Sequence, residues 1–239
     1  MDTIHIDSKN VQMVAHRGVS GLETENTASA FVAAGNRSYY GIETDVHRTA
    51  DGKFVVFHDD DTQRVAGDKL VVEETTYETL RSLRLLDTDG QRGRNDLRIP
   101  SLREYVRICK KYGKVGVLEL KNRFTIDDIR RIVDLIEEEG YLKNIIFIAF
   151  DLNNLIDLRA ILPEQPAQLL VSFYNDDVLP TLLKYHLDLD IHYKALTPEI
   201  VRDLKNAGIF INCWTVDTAE EARDLIEWGV DQITSNILE

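Results

Sequence analysis

From Ser101 onward the chain alternates short apolar runs with capped amphipathic segments, almost without interruption. Such alternation calls for a parallel sheet with helices packed outside it. Eight strands are expected, at residues 12–15, 41–46, 114–120, 145–150, 167–173, 189–193, 210–216 and 230–235. The run Ile145-Ile146-Phe147-Ile148-Ala149-Phe150 is apolar at every position, as a strand covered on both faces is. Between the strands, Ser101-Leu102-Arg103-Glu104 and Thr218-Ala219-Glu220-Glu221 have capping-box spacing, and Thr197-Pro198 sets a cap before an N1 proline. Gly113, Gly140, Gly208 and Gly229 follow helical patterns, where a left-handed residue closes the helix. Ile129, Ile132, Val133 and Ile136 fall on one helical face. Eight strand–helix units in 239 residues are the arithmetic of an α/β (β/α)8 TIM barrel, read as one domain over residues 1–239. An open doubly wound sheet is the competing arrangement. It usually has fewer strands, and the chain carries neither a GxGxxG nor a Walker loop.

A ninth strand-like run at residues 54–57 breaks this count. Too few residues separate it from the second strand for a parallel crossover, and Asp51-Gly52 is a strong hairpin turn. The second strand therefore continues into an antiparallel hairpin above the rim. A two-residue turn at Asp51-Gly52 would set Asp45 directly opposite His58, on the face shared with Glu43. Residues 59–100 are rich in turn and charge signals, and Thr75-Thr76-Tyr77-Glu78 opens a short helical pattern through Leu83. They read as a small inserted subdomain over the catalytic end of the barrel.

Chemistry concentrates where the strands end. His16-Arg17-Gly18 follows the first strand, Glu43 and Asp45 close the second, His58-Asp59 ends the returning hairpin arm, and Glu119 and Lys121 end the third barrel strand. A lone histidine or carboxylate at a strand end is usually a hydrogen-bonded rim residue. Convergence of several from adjacent strands changes that reading. Glu43, Asp45 and Glu119 offer three hard oxygen ligands and no thiolate, which suits one divalent cation, Mg2+ or Ca2+, rather than zinc. Arg17 and Lys121 beside it would favour an anion such as phosphate, flanked by His16 and His58 as an acid/base pair. Asn26 is read as the cap of the helix beginning near Thr27, Gly18 as a point of close backbone approach, His47 as a rim residue and His5 as part of a frayed terminus. His186 falls at a helix end, and His192-Tyr193 ends a strand at the rim, where it could touch a bound substrate.

Charge narrows the partners. Twenty-eight Lys+Arg against 41 Asp+Glu leave a formal net charge of −13, which argues against nucleic acid and anionic membranes. No apolar run approaches the roughly 18 residues of a membrane span. The first residues lack the basic and apolar regions of a signal peptide, and Cys109 and Cys213 form no disulfide framework, so a cytoplasmic setting is expected. Homo-oligomer formation is left open by the sequence.

Val14-Ala15-His16-Arg17-Gly18, Glu25-Asn26-Thr27 with Ala30-Phe31, Glu43-x-Asp45, Val55-Val56-Phe57-His58-Asp59 and Leu118-Glu119-Leu120-Lys121 together resemble the glycerophosphodiester phosphodiesterase family. Trp214-Thr215-Val216 and Trp228-Gly229-Val230-Asp231 are similar to its closing segment, and Ile99-Pro100-Ser101-Leu102 to the end of its usual insert. The resemblance spans nearly the whole chain. It implies metal-dependent hydrolysis of a small glycerophosphodiester to sn-glycerol 3-phosphate and an alcohol. His16 and His58 would be catalytic, Glu43, Asp45 and Glu119 would hold the metal, and Arg17, Lys121 and Trp214 would bind substrate. A lysophospholipase D or sphingomyelinase-D-like activity is the rival within the enzyme class and would need an apolar groove. A non-catalytic phosphodiester-binding barrel is the rival outside it, and would be marked by loss of one of these five histidines and carboxylates. Three departures stand out: Thr24 in place of a proline, Ile148-Ala149-Phe150 in place of Ser-Ser-Phe, and Thr234-Ser235-Asn236 in place of Thr-Asp.

Overall fold

The computed structural model describes residues 2–239. In chain order the elements are β1 (Gln12–Ala15), α1 (Ala28–Gly35), β2 (Gly41–Arg48), β3 (Phe54–Val56), α2 (Gln63–Ala66), α3 (Tyr77–Ser82), α4 (Leu102–Tyr112), β4 (Val115–Leu120), α5 (Ile126–Glu138), β5 (Ile145–Ala149), α6 (Leu152–Ile161), β6 (Ala167–Val171), α7 (Val178–Tyr185), β7 (Asp188–His192), α8 (Pro198–Asn206), β8 (Ile211–Trp214), α9 (Ala219–Trp228) and β9 (Gln232–Ser235). Strand ends differ from the sequence reading by at most two residues. Pairing runs β1-β9-β8-β7-β6-β5-β4-β2, and β1 also pairs with β2. Eight parallel strands thus close a barrel, and the open doubly wound sheet is excluded.

Alternation along each strand sorts the core. Ala15, Ile42, Leu118, Phe147, Leu169, Ile191, Cys213 and Ile233 belong to the main apolar cluster, which takes in the buried faces of the outer helices. The other face is different. Val14, Val117, Ile148 and Leu170 form a small separate cluster. Gln12, Gln168, Asn212, Gln232 and Thr234 supply polar contacts, with Gln232 Nε2 donating to Gln12 Oε1 at 2.7 Å and Thr234 Oγ1 to Asn212 Oδ1 at 3.2 Å. Ser101 makes the full capping box on α4, and Thr197 and Thr218 cap α8 and α9 as their sequences require. No helix among the described residues is long and apolar enough to cross a membrane.

The hairpin forms, but its register differs from the expected one. Val46 pairs with Val56 and Arg48 with Phe54, and Thr49 N donates to Lys53 O at 2.8 Å. The loop is therefore three residues, 50–52, closing on a left-handed Gly52 with φ 72°, not the two-residue turn. One extra loop residue shifts every partner by one. Asp45 consequently lies opposite Phe57, whose N donates to Asp45 O at 3.0 Å. His58 still lines the same cavity as Asp45, because the ladder ends at Val56 and register no longer governs the residues beyond it.

After β3 the insert folds on its own apolar cluster of Val55, Phe57, Val65, Ala66, Val72, Leu80, Leu85, Leu97 and Ile99. It covers His47, which is fully buried rather than a rim residue: Nδ1 is 3.1 Å from Glu73 Oε1 and Nε2 is 3.3 Å from the His58 carbonyl. The N-terminal segment is paired, not frayed, since Ile4 bridges Leu238 and His5 Nε2 meets Glu239 Oε1 at 3.0 Å. His186 closes α7 as its position suggested.

Candidate active site

β1 delivers His16 and Arg17 to the C-terminal mouth of the barrel. Arg17 takes a left-handed φ of 53°, and its backbone N donates to Glu43 Oε2 at 2.8 Å. Gly18, with φ 77°, lets this turn press on α1, where an added Cβ would lie 2.7 Å from Ala30. On β2, the period of two puts Glu43 and Asp45 on one face, and Asp45 is in register with Glu119 of β4. An oxygen from each of the three carboxylates lies within 4.8 Å of the others. All three residues are buried.

That cluster is short of positive charge. Burial, reinforced by Asp45, pushes the Glu43 carboxyl well above its ordinary range and raises that of Glu119. Burial also works against Asp45, but Arg17 and Lys121 outweigh it and hold its carboxyl below the usual value. Arg17 Nε is 3.8 Å from Asp45 Oδ2, and Lys121 Nζ is 3.0 Å from Glu119 Oε1 and 3.6 Å from Asp45 Oδ1. Three buried carboxylates meet two cations, and the all-oxygen donor set fits a hard divalent ion.

Asn26 has a different task from the one its sequence position suggested. Thr27 caps α1, accepting from Ala30 N. Asn26 is buried beside Asp45, donating Nδ2 to Asp45 Oδ2 at 2.8 Å and accepting from Thr44 Oγ1 at 2.7 Å. It fixes the orientation of that carboxylate. It sits at a left-handed φ of 53°, a conformation that Asn tolerates better than most residues.

The two imidazoles have unlike supports. His16 Nδ1 is 2.7 Å from Asn236 Oδ1. Asn236 donates its own Nδ2 to Asp217 Oδ2 at 2.6 Å and its backbone N to Asp217 Oδ1 at 2.8 Å. A carboxylate only accepts, so the Asn236 carbonyl must face His16, and His16 Nδ1 must carry the hydrogen. Nε2 is then the bare nitrogen, 3.9 Å from Glu43 Oε2. Burial and Arg17 lower the His16 pKa to about 4. The sequence departure at Asn236 therefore falls on the site itself. His58 Nδ1 instead meets a charged carboxylate, Asp59 Oδ1, at 2.7 Å. His58 too is held below its ordinary value, because burial with Arg17 and Lys121 outweighs the upward pull of Asp45 and Asp59.

Arg64 of α2 ties the two halves together. It binds Asp59 through Nε at 2.7 Å and Glu25 through both terminal nitrogens at 2.7 Å, and Glu25 in turn accepts from Arg17 Nη1 at 2.8 Å. Sequence reading missed Arg64, Glu25 and Asn236 as site residues because each acts through another side chain.

His16, Arg17, Glu43, Asp45, His58, Glu119 and Trp214 all line one cavity of about 160 Å³. Lys121 does not; its ammonium is engaged on the carboxylates. Trp214 stacks edge-on against Phe150 and His192, with ring centroids 5.8 and 5.3 Å away, so His192 supports the tryptophan.

The chain is a (β/α)8 barrel with a candidate metal centre and two oriented imidazoles at its C-terminal mouth. The model of the glycerophosphoryl diester phosphodiesterase family matches residues 16–238. A glycerophosphodiester phosphodiesterase of Caldanaerobacter subterraneus subsp. tengcongensis is 28% identical over 227 residues, 94% of this chain and 93% of that protein. Among solved structures, an Oleispira antarctica phosphodiesterase in complex with the product sn-glycerol-3-phosphate superposes with a TM-score of 0.83 at 26% identity, covering 97% of this chain and 95% of that one. A glycerophosphodiester phosphodiesterase from Parabacteroides distasonis gives 0.80 at 29% identity, covering 95% and 93%. This chain belongs to the glycerophosphoryl diester phosphodiesterase family.

Proposed function

We propose that the chain hydrolyses glycerophosphodiesters to sn-glycerol 3-phosphate and an alcohol, with His16 as general base and His58 as general acid. The observation that carries this reading is the convergence of three buried carboxylates, two oriented imidazoles and Arg17 on one small cavity. Glu43, Asp45 and Glu119 would hold the divalent cation, which when bound draws off negative charge from the phosphate and steadies it as the transition state forms. Arg17 binds a phosphate oxygen, and Lys121 offsets the charge of the carboxylates from behind. His16, held by a neutral amide with Nε2 bare, accepts the proton of the attacking hydroxyl as its oxygen bonds to phosphorus. With water this gives the product directly, and with the glycerol 2-hydroxyl it gives a cyclic phosphate that a second water must open. The bond from phosphorus to the alcohol oxygen breaks, and His58 gives its proton to that oxygen. Asp59 favours the protonated imidazole because a carboxylate stabilises the cation it faces. The product seen in the Oleispira relative is the one this reaction would leave.

The test is turnover by the purified protein with Mg2+ or Ca2+ restored after chelation. Glycerophosphocholine and glycerophosphoethanolamine are expected to release sn-glycerol 3-phosphate, and a lysophospholipid is expected to be poor. Preference for the lysolipid would replace this substrate class with the lysophospholipase D reading. No turnover of any of the three would leave a phosphodiester-binding barrel. Cys109 and Cys213 are both free and buried, which supports a reducing, cytoplasmic setting.

A further inference from the structure

One further buried carboxyl on the wall of the catalytic cavity has no part in this reaction. Asp190 of β7 is 2% exposed and sits in register between Leu170 of β6 and Asn212 of β8. It lines the catalytic cavity, yet its Oδ1 has no hydrogen-bond partner among the described residues. It is not among the three carboxylates that converge, so the candidate metal centre does not account for it. Two other unpartnered atoms on this cavity, Arg17 Nε and Glu119 Oε1, belong to the acidic cluster and its cations; away from it, Trp214 Nε1 is buried and also lacks a partner among the described residues. Burying polar groups without partners is costly, and away from the acidic cluster the wall is built from Ile148, Phe150 and Leu170, with Thr234 already bonded to Asn212. Away from the acidic cluster, the cavity therefore offers one unused acceptor and one unused donor against an apolar surface. A ligand ammonium would leave the indole N–H without an acceptor, and a ligand carboxylate would oppose Asp190. An alcohol on a short carbon chain satisfies both.

We propose that Asp190 is a specificity-determining residue that hydrogen-bonds a hydroxyl of the substrate's glycerol, with the Trp214 indole N–H as the donor available to the same polyol. The assignment rests on the glycerophosphodiester reading and names the part of the site that tells glycerol from other alcohols. A site built to hydrogen-bond a hydroxyl rejects the analogue that lacks it, because its own polar groups are then left unpaired.

The experiment is calorimetric titration of the metal-loaded protein with sn-glycerol 3-phosphate and with n-propyl phosphate, which has the same chain and no hydroxyls. Wild type is expected to favour glycerol 3-phosphate by about 10–10²-fold, the affinity lost when a buried polar group is left unpaired. Asp190→Val is expected to erase that preference by weakening glycerol 3-phosphate alone, and Asp190→Asn, which keeps a carbonyl acceptor, to retain part of it. Thermal unfolding checks that each variant is folded, and Asp190→Asn with wild type carries the test if the valine variant is not. Equal loss for both phosphates in the variants, or an unchanged preference, overturns the proposal. So does equal wild-type affinity for the two ligands alongside normal turnover of glycerophosphocholine, which leaves the parent reading standing. Absence of turnover on every glycerophosphodiester overturns both.

Discussion

Replacing His58 by Asn is expected to cut kcat on glycerophosphocholine by roughly 10²–10⁴ and to leave KM within a few-fold. Much of that loss is expected to return on the p-nitrophenyl ester of glycerol 3-phosphate, whose phenolate leaves without protonation. His16→Asn is expected to be as slow on the first substrate and to stay slow on the second. The asymmetry comes from what holds each ring. Asn236, pinned by Asp217, accepts from His16 Nδ1 and leaves Nε2 bare. Asp59, gripped by Arg64, places a negative charge against His58 and supports its protonated form. If both residues only contact the phosphate, the Asn variants should raise KM and leave kcat near normal, because uniform binding has been lost. Rescue of His16→Asn instead of His58→Asn would exchange the two roles.

Chelation of divalent cations is expected to abolish turnover and to lower the thermal unfolding temperature, and either Mg2+ or Ca2+ should restore both. A cation present at 100 times its dissociation constant stabilises the folded state by about 2.7 kcal/mol through mass action alone. Here it would also relieve the repulsion among Glu43, Asp45 and Glu119, whose burial leaves Arg17 and Lys121 as the nearby compensation. Asp45→Asn is expected to cost at least about 10³ in kcat, since removing one transition-state charge contact of this kind costs on the order of 10²–10³ and the ion itself is weakened too. An exposed acid such as Glu220 changed to Gln serves as the control. Full activity in excess chelator would remove the metal from the mechanism.

The barrel was legible because its signals are local: β-branched runs, threonine and serine caps, and glycines at helix ends. The acidic cluster was legible because strand alternation alone puts Glu43 and Asp45 together, and β4 presents Glu119 at the matching height. The hairpin register was not, since Asp51-Gly52 can close either a two-residue or a three-residue loop. The choice is settled by the left-handed Gly52 and by Thr49 bonding Lys53. Asn26 and Asn236 escaped for another reason. Their partners lie 19 and 220 positions away, a separation that no local pattern encodes. Asp190 hid within a strand that reads as ordinary, because a polar residue facing the inside of a closed barrel looks in sequence like one facing solvent.

His58, Asp59 and Arg64 belong to the segment that packs on Val65, Leu80, Leu97 and their neighbours, apart from the main core. Nine buried apolar residues hold that patch, against a far larger cluster around the barrel. Regions held by few apolar contacts open at lower free energy than the whole. Warming should therefore detach one jaw of the site while the other, carried by β1, β2 and β4, stays in place. Activity would fall away before the helical signal does, and would return promptly on cooling because the barrel has nothing to refold. The insert then behaves as a thermal fuse, setting the temperature at which the enzyme stops working well below the one at which the protein comes apart.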